Sequence, residues 1–354
     1  MRIRRSFWAK LHMWTGLLLG AVWMAQALTG LSLVFARDLE ASYVLGAPNA
    51  AVAPARIIPI VLEDLPQPAT RVRLVGSDAR LLEFQYRDAQ GQLHIMRYDA
   101  GQQRVLAQFP ASARPLQHGG LIDILYQIHT SLMLGEGGKI WIGASGAFLL
   151  LSIFLGLYLA WPQRRLAEIF QIGRWSGVLQ KLYGWHRMIG LLVVLPLSLM
   201  VATGVYIVFV RDRLPLTWEE ASAPVPALSQ PLTPRAALDK GAALFPKARF
   251  MGMDLPQQDQ PYYTLRYTSP MEWRSWAGRS TVVLDARDGH ILALYDPNHA
   301  SARDLLDDAV YPTHTGEAGG LVGRVLVLLS SAALAALIAT GLYRYIHKKQ
   351  KKRR

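Results

Sequence analysis

Four stretches of the chain, residues 13–35, 140–161, 188–210 and 325–343, are apolar almost throughout and contain no Asp, Glu, Lys or Arg. About 20 such residues in a helix cross a hydrocarbon core, so each stretch predicts a transmembrane helix. A secretory signal is the competing reading of the first, but no small-residue cleavage site follows it before Arg37 and Asp38, so a retained helix is expected. The spans leave two polar segments, 37–139 and 211–324, each long enough for a small folded unit. In the first, residues 81–86 and 93–98 alternate around a turn at 88–91 and lead on to 104–106, the pattern of an antiparallel meander. In the second, Pro234 opens a helix over 234–244, and 262–267, 281–284 and 290–294 read as strands. Proline-rich 221–234 reads as a linker.

Charge orients this pattern. Arg2, Arg4, Arg5 and Lys10 precede the first span, Arg164, Arg165, Arg174, Lys181 and Arg187 separate the second from the third, and residues 347–354 form a basic tail. Lys and Arg near span ends stay in the cytoplasm, so both termini are expected there, in a bacterial inner membrane, with the long segments in the periplasm. The formal charge of +13 is then topology and contact with anionic membrane lipid, and no nucleic-acid partner is expected. Cysteine is absent, which excludes disulfides, iron–sulfur clusters and covalently attached c-type haem. Redox chemistry would need a non-covalent cofactor. Glycine-rich 135–143 and 316–323 run into membrane helices and do not follow a strand, so they are not nucleotide loops. No Ser/His/Asp or Cys/His constellation argues for hydrolysis.

The chain also repeats itself. His12 is followed by Gly16, Thr29-Gly30, Phe35 and Arg37-Asp38, and His186 at identical offsets by Gly190, Thr203-Gly204, Phe209 and Arg211-Asp212. His129-Thr130 and His314-Thr315 begin a second matched pair, ending in Gly156-Leu157-Tyr158 and Gly341-Leu342-Tyr343. Two parallel helix, outer segment, helix units are expected.

Four of the nine histidines occupy matched places: His12 and His186 at the cytoplasmic ends of their helices, His129 and His314 at the outer ends. Across a bundle each couple can face, and two neutral imidazoles suit the axial positions of haem iron. Glycines at the shared offsets would let a flat macrocycle approach. Interfacial polar residues are the plain alternative, and zinc or copper held with Glu136 and Glu317 a further one. His94, His118, His290, His299 and His347 default to solvated surface. Trp14, Trp23, Trp141, Trp161 and Trp185 read as interfacial anchors or packing.

Leu11-His12-Met13-Trp14-Thr15-Gly16-Leu17, Gln127-Ile128-His129-Thr130-Ser131-Leu132, Trp185-His186-Arg187-Met188-Ile189-Gly190-Leu191 and Pro312-Thr313-His314-Thr315-Gly316 resemble the signatures of the PepSY-associated transmembrane helix family. Met13 stands where an Arg is common. Within the family the chain resembles the iron-regulated, FoxB-type ferric-siderophore reductases. The resemblance implies a membrane α-helical protein with a first span in 1–36, a periplasmic α+β PepSY-like domain in 37–139 and a second span at 140–161. A cytoplasmic loop at 162–187, a third span at 188–210, a second PepSY-like domain in 211–324, a fourth span at 325–346 and the tail at 347–354 would follow. It further implies two haem b groups held by His12, His129, His186 and His314, and an oxidoreductase that reduces ferric siderophore to release iron(II). The electron donor would be a cytoplasmic partner or a quinol. Tyr262, Tyr263, Tyr267, Trp273 and Trp276, with Arg266, Arg274 and Arg279, are the candidate substrate face, with a packed sheet as the rival reading. Rival functions are a peptide- or protease-binding membrane anchor and a siderophore permease.

Overall fold

A computed structural model describes residues 5–36, 38–40, 53–76, 80–161, 177–210, 231–270, 272–273 and 278–351. Residues 221–230 of the expected linker, the Arg211-Asp212 marker, Arg164, Arg165, Arg174, Arg274 and Trp276 lie outside the described residues, and Pro234 belongs to a helix instead of the linker. The chain divides into two compact units, residues 1–34, 124–214 and 310–354 in one and 35–123 and 215–309 in the other.

The first unit is helical. Helices α1 (Arg5–Leu33), α4 (Gly135–Ala160), α5 (Val178–Phe209) and α8 (Gly320–Lys351) cover the four apolar stretches to within two residues at their ends, and all begin before the expected spans. α1 packs on α4 and α8, and α5 packs on the same two, so α1 and α5 stand diagonally across a four-helix bundle. Its centre holds Trp23, Ala27, Leu149, Leu197, Val201 and Leu334. Trp23 is core packing, its indole Nε1 donating to the Ser145 carbonyl at 3.1 Å, whereas Trp14, Trp141, Trp161 and Trp185 are exposed. Close approach of α4 and α5 depends on small residues: a Cβ at Gly146 would come within 2.8 Å of Val205, and one at Gly143 within 2.7 Å of Val208. The outward surface is apolar, with Leu195 79% and Leu18 75% exposed, as helices facing lipid require. At one end Arg5 donates to the Leu159 carbonyl at 2.6 Å and Arg187 to that of Ala160 at 2.9 Å, satisfying the terminal acceptors of α4.

Short helices α3 (Gly120–Ser131) and α7 (Ala302–Thr315) precede α4 and α8 and carry His129 and His314 in their last turns. Each stops at a sharp break. Leu132, Met133 and Gly135 have φ of 51°, 61° and 61°, and Gly316 and Gly320 have 82° and 57°. Gly138 and Gly323 sit directly against the backbone on the other side of the break, where no side chain fits.

The second unit is a sheet. The two polar segments, expected to fold as separate domains, supply four strands each to one antiparallel sheet in the order β4-β3-β2-β1-β5-β6-β7-β8. The strands are β1 (Ala69–Leu74), β2 (Leu81–Arg87), β3 (Leu93–Asp99), β4 (Arg104–Pro110), β5 (Arg249–Asp254), β6 (Tyr262–Thr268), β7 (Ser280–Asp285) and β8 (Ile291–Tyr295). The halves join where Val72 on β1 pairs with Met253 on β5, both fully buried. Helices α2 (Pro54–Glu63) and α6 (Pro234–Leu244) pack together, and Ile58 and Leu238 share one core with Val72, Phe84, Met253, Leu265 and Leu284. α6 begins as its sequence indicates, with Thr233 accepting from the Ala236 amide at 3.2 Å ahead of Pro234.

Candidate functional site

Within the helical unit the four matched histidines form two couples. His12 on α1 and His186 on α5 have ring centroids 6.2 Å apart, and His129 and His314 also stand at 6.2 Å. Two imidazoles on opposite sides of one metal, at about 2 Å per metal–nitrogen bond and about 1 Å from ring nitrogen to ring centre, would have centroids about 6 Å apart. Both couples therefore have the spacing of a shared metal ion. From His12 to Gly30, and equally from His186 to Gly204, there are eighteen residues of helix, about 27 Å of rise. Because His129 lies on Gly30 and His314 on Gly204, the couples sit at opposite ends of the bundle.

The proton on each ring is fixed by its partners. Nδ1 of His12 lies 2.9 Å from the Ser152 carbonyl, that of His129 3.2 Å from Gln26 O, and that of His314 2.8 Å from Met200 O. A carbonyl only accepts, so Nδ1 is the donor in all three. His186 reaches the same state: it makes a backbone hydrogen bond to Leu337, and its Nδ1 is also 3.1 Å from the Thr340 hydroxyl, whose own proton goes to Ala336 O at 2.7 Å. Nε2 accepts no hydrogen bond among the described residues and keeps its lone pair for a metal, while the Nδ1 bond orients each ring.

Four of the glycines at shared offsets have a different task from the one expected. Gly30, Gly204, Gly156 and Gly341 lie under the rings of His129, His314, His12 and His186, so it is imidazole that rests on them. Gly16, one turn beyond His12, has nothing within 4 Å of a would-be Cβ, and Gly190 meets only Leu337 at 3.8 Å, which leaves room for a flat group beside that couple. No third histidine or carboxylate joins either couple among the described residues, so the zinc or copper arrangement with Glu136 and Glu317 does not form there. Two-imidazole ligation to a planar cofactor needs no third protein ligand. The residues present fit haem.

Sequence reasoning registered Thr29 and Thr203 only as markers and did not single out Ser152 or Thr340. Their signal was present in Thr-Gly at 29–30, 203–204 and 340–341, a hydroxyl beside a glycine each time.

Part of the candidate substrate face is packing. Tyr263 and Tyr267 are buried in the sheet core, their hydroxyls donating to Leu232 O at 2.9 Å and Leu238 O at 3.4 Å. Arg266 pairs with Asp254 at 2.8 Å, and Arg279 with Asp308 at 2.6 Å. Trp273 is exposed and Tyr262 half-buried. His94 stacks on Tyr86 and bonds Asp88, His299 bonds Asp296, and His347 stacks on Tyr343. The most strongly perturbed carboxylate of this unit is Glu83, fully buried among Arg73 at 2.7 Å, Arg114 at 3.2 Å and Arg97 at 3.3 Å. Burial pushes its pKa up, but the three guanidiniums and Gln85 outweigh it and hold it down at about 2.

The fold and the histidine couples define a class: a four-span membrane protein with paired imidazoles at the two ends of its bundle. More particularly, the family model for the PepSY-associated TM region matches residues 9–348, nearly the whole chain, and the protein belongs to that family. No curated protein matches the chain.

Proposed function

We propose that the protein is a di-haem b reductase of the bacterial inner membrane, carrying electrons across the bilayer to ferric siderophore in the periplasm. In this reading the chain is a tandem of two helix, meander, helix units with both termini cytoplasmic. His12 and His186 hold the cytoplasmic haem, and His129 and His314 the periplasmic one. The observation that carries it is the equal 6.2 Å separation of both couples, with Nδ1 committed as donor on every ring.

Held by the two imidazoles of a couple, a haem would supply one-electron transfer there. The protein's own residues do the rest. Nδ1–H donation to Ser152, Gln26 and Met200 carbonyls and to Thr340 makes each imidazole a better electron donor and stops its rotation. Trp23, Leu197 and Leu334 close the bundle centre to water between the two ends. At the outer end the substrate is iron(III) in hard oxygen donors, which hold iron(II) far less well, so one electron loosens the complex. The donor is a quinol or a cytoplasmic protein, since the described residues contain no βαβ unit for a flavin or nicotinamide.

Proteoliposomes with reductant inside and ferric siderophore plus an iron(II) chelator outside test this directly. Iron(II) capture that needs the protein and is lost with His129→Ala is expected. Uptake of intact complex without iron(II) would instead make the protein a permease.

A further inference from the structure

We propose that Thr29-Gly30 and Thr203-Gly204 are the positioning elements of the His129/His314 site, each Thr-Gly pair acting as a socket that fixes one imidazole in rotation and in tautomer. The inference rests on the haem reading above and goes beyond it by naming residues that touch neither iron nor substrate.

The geometry is the same on both sides. His129 packs against α1 with Nδ1 3.2 Å from Gln26 O and 3.2 Å from Thr29 Oγ1, and His314 packs against α5 with Nδ1 2.8 Å from Met200 O and 3.4 Å from Thr203 Oγ1. In both cases the carbonyl is four residues before the glycine and the hydroxyl one residue before it. The hydroxyl protons are already given to Ala25 O at 2.7 Å and Leu199 O at 2.8 Å, so both oxygens face the ring as acceptors. The Nδ1 proton is thus shared between a carbonyl and a hydroxyl. Glycine is what allows the approach. A Cβ at Gly30 would fall 3.0 Å from His129 Cε1, and one at Gly204 2.9 Å from His314 Cε1, distances that force the ring to move.

The other end is built less tightly. The corresponding Cβ distances are 3.3 Å at Gly156 to His12 and 3.7 Å at Gly341 to His186, the last an ordinary contact. His12 takes both its carbonyl and its hydroxyl from Ser152 alone. His129 and His314 also need more outside support, because they sit on α3 and α7, each separated by a backbone break from the span that follows. Groups that orient a metal's histidines typically change metal affinity about 10–100-fold when removed.

The test uses full-length protein purified with its haem and reads the low-spin ferric EPR signals and the two midpoint potentials. Gly30→Ala and Gly204→Ala should shift the signal of the His129/His314 haem or cut its occupancy about tenfold, with Gly341→Ala giving the smallest change of the socket glycines. Should the alanine variants fail to fold, Thr29→Val and Thr203→Val keep the volume, remove the hydroxyl that faces the ring together with its bond to the Ala25 or Leu199 carbonyl, and should move the potential of that haem while the other stays in place. Alanine variants with the parent's signals and potentials, or valine variants that leave both potentials unchanged, would overturn the proposal. A parent protein that purifies without haem would overturn the reading beneath it instead.

Discussion

Glu83 has no solvent contact and three arginines around it, and its consequence for stability can be signed. The folded carboxyl titrates at about 2 against 4.5 for the free group, a depressed value. Its contribution to stability is therefore complete above about pH 4.5 and is lost as the pH falls toward 2. Hydrogen exchange at the amides of β2 and β3 should accelerate through that window, and in Glu83→Gln the acceleration from this source should vanish. The same substitution should destabilise the sheet unit at neutral pH by about 1–3 kcal/mol, because Arg97 and Arg114 each lose one carboxylate partner while keeping Glu40 and Asp123. Denaturant unfolding of the two proteins side by side measures this. At this scale the histidines were legible because their spacing repeats, whereas their partners were not: a serine or threonine in an apolar helix looks the same whether it bonds its own backbone or a distant imidazole. Tyr263 and Tyr267 misled in the other direction. An aromatic-rich strand reads alike on the core face and on an open one until its neighbours are known.

Among the elements, the spans were visible through their length and lack of charge, and α6 through Pro234 at its start. The break ahead of α4 was not, since Leu132 and Met133 carry no turn signal although both have left-handed backbone, at the point where Gly138 meets the Ser131 carbonyl. Non-glycine residues pay about 1–2 kcal/mol for that conformation. Met133 is also exposed, so Met133→Gly gives up little packing. A gain of about 0.5–1 kcal/mol is expected after the entropy of glycine is counted, visible as a rise in the melting temperature of the detergent-solubilised protein. An unchanged or lower value would mean that the break carries no such strain. The helices α3 and α7 were missed because their apolar faces are short and end in polar His-Thr.

For the whole molecule, the residue pattern predicted a meander over β2, β3 and β4 and separate strands at β6, β7 and β8 but could not show that the two sets join, because the joining strands β1 and β5 are six residues each and pair across more than 170 positions of sequence. Long-range pairing of that kind leaves no local pattern. The consequence is testable: Met253→Asp buries a charge at the junction and should cost several kcal/mol, on the order expected for an unpaired buried carboxylate. If the sheet is one cooperative unit, β2–β4 should lose exchange protection together with β6–β8. Loss confined to β5–β8 would mean that the halves fold independently. The two histidine couples stand outside this sheet, in the helical unit, and the functional account depends on them alone. Its most direct test is the reduced-minus-oxidised absorption spectrum, with haem quantified per chain, of the purified protein and of His12→Ala, His129→Ala, His186→Ala and His314→Ala. The account predicts a low-spin b-type spectrum with two haems per chain, reduced by about half in each variant. A colourless parent from haem-replete cells, or a full haem complement in all four variants, would contradict it.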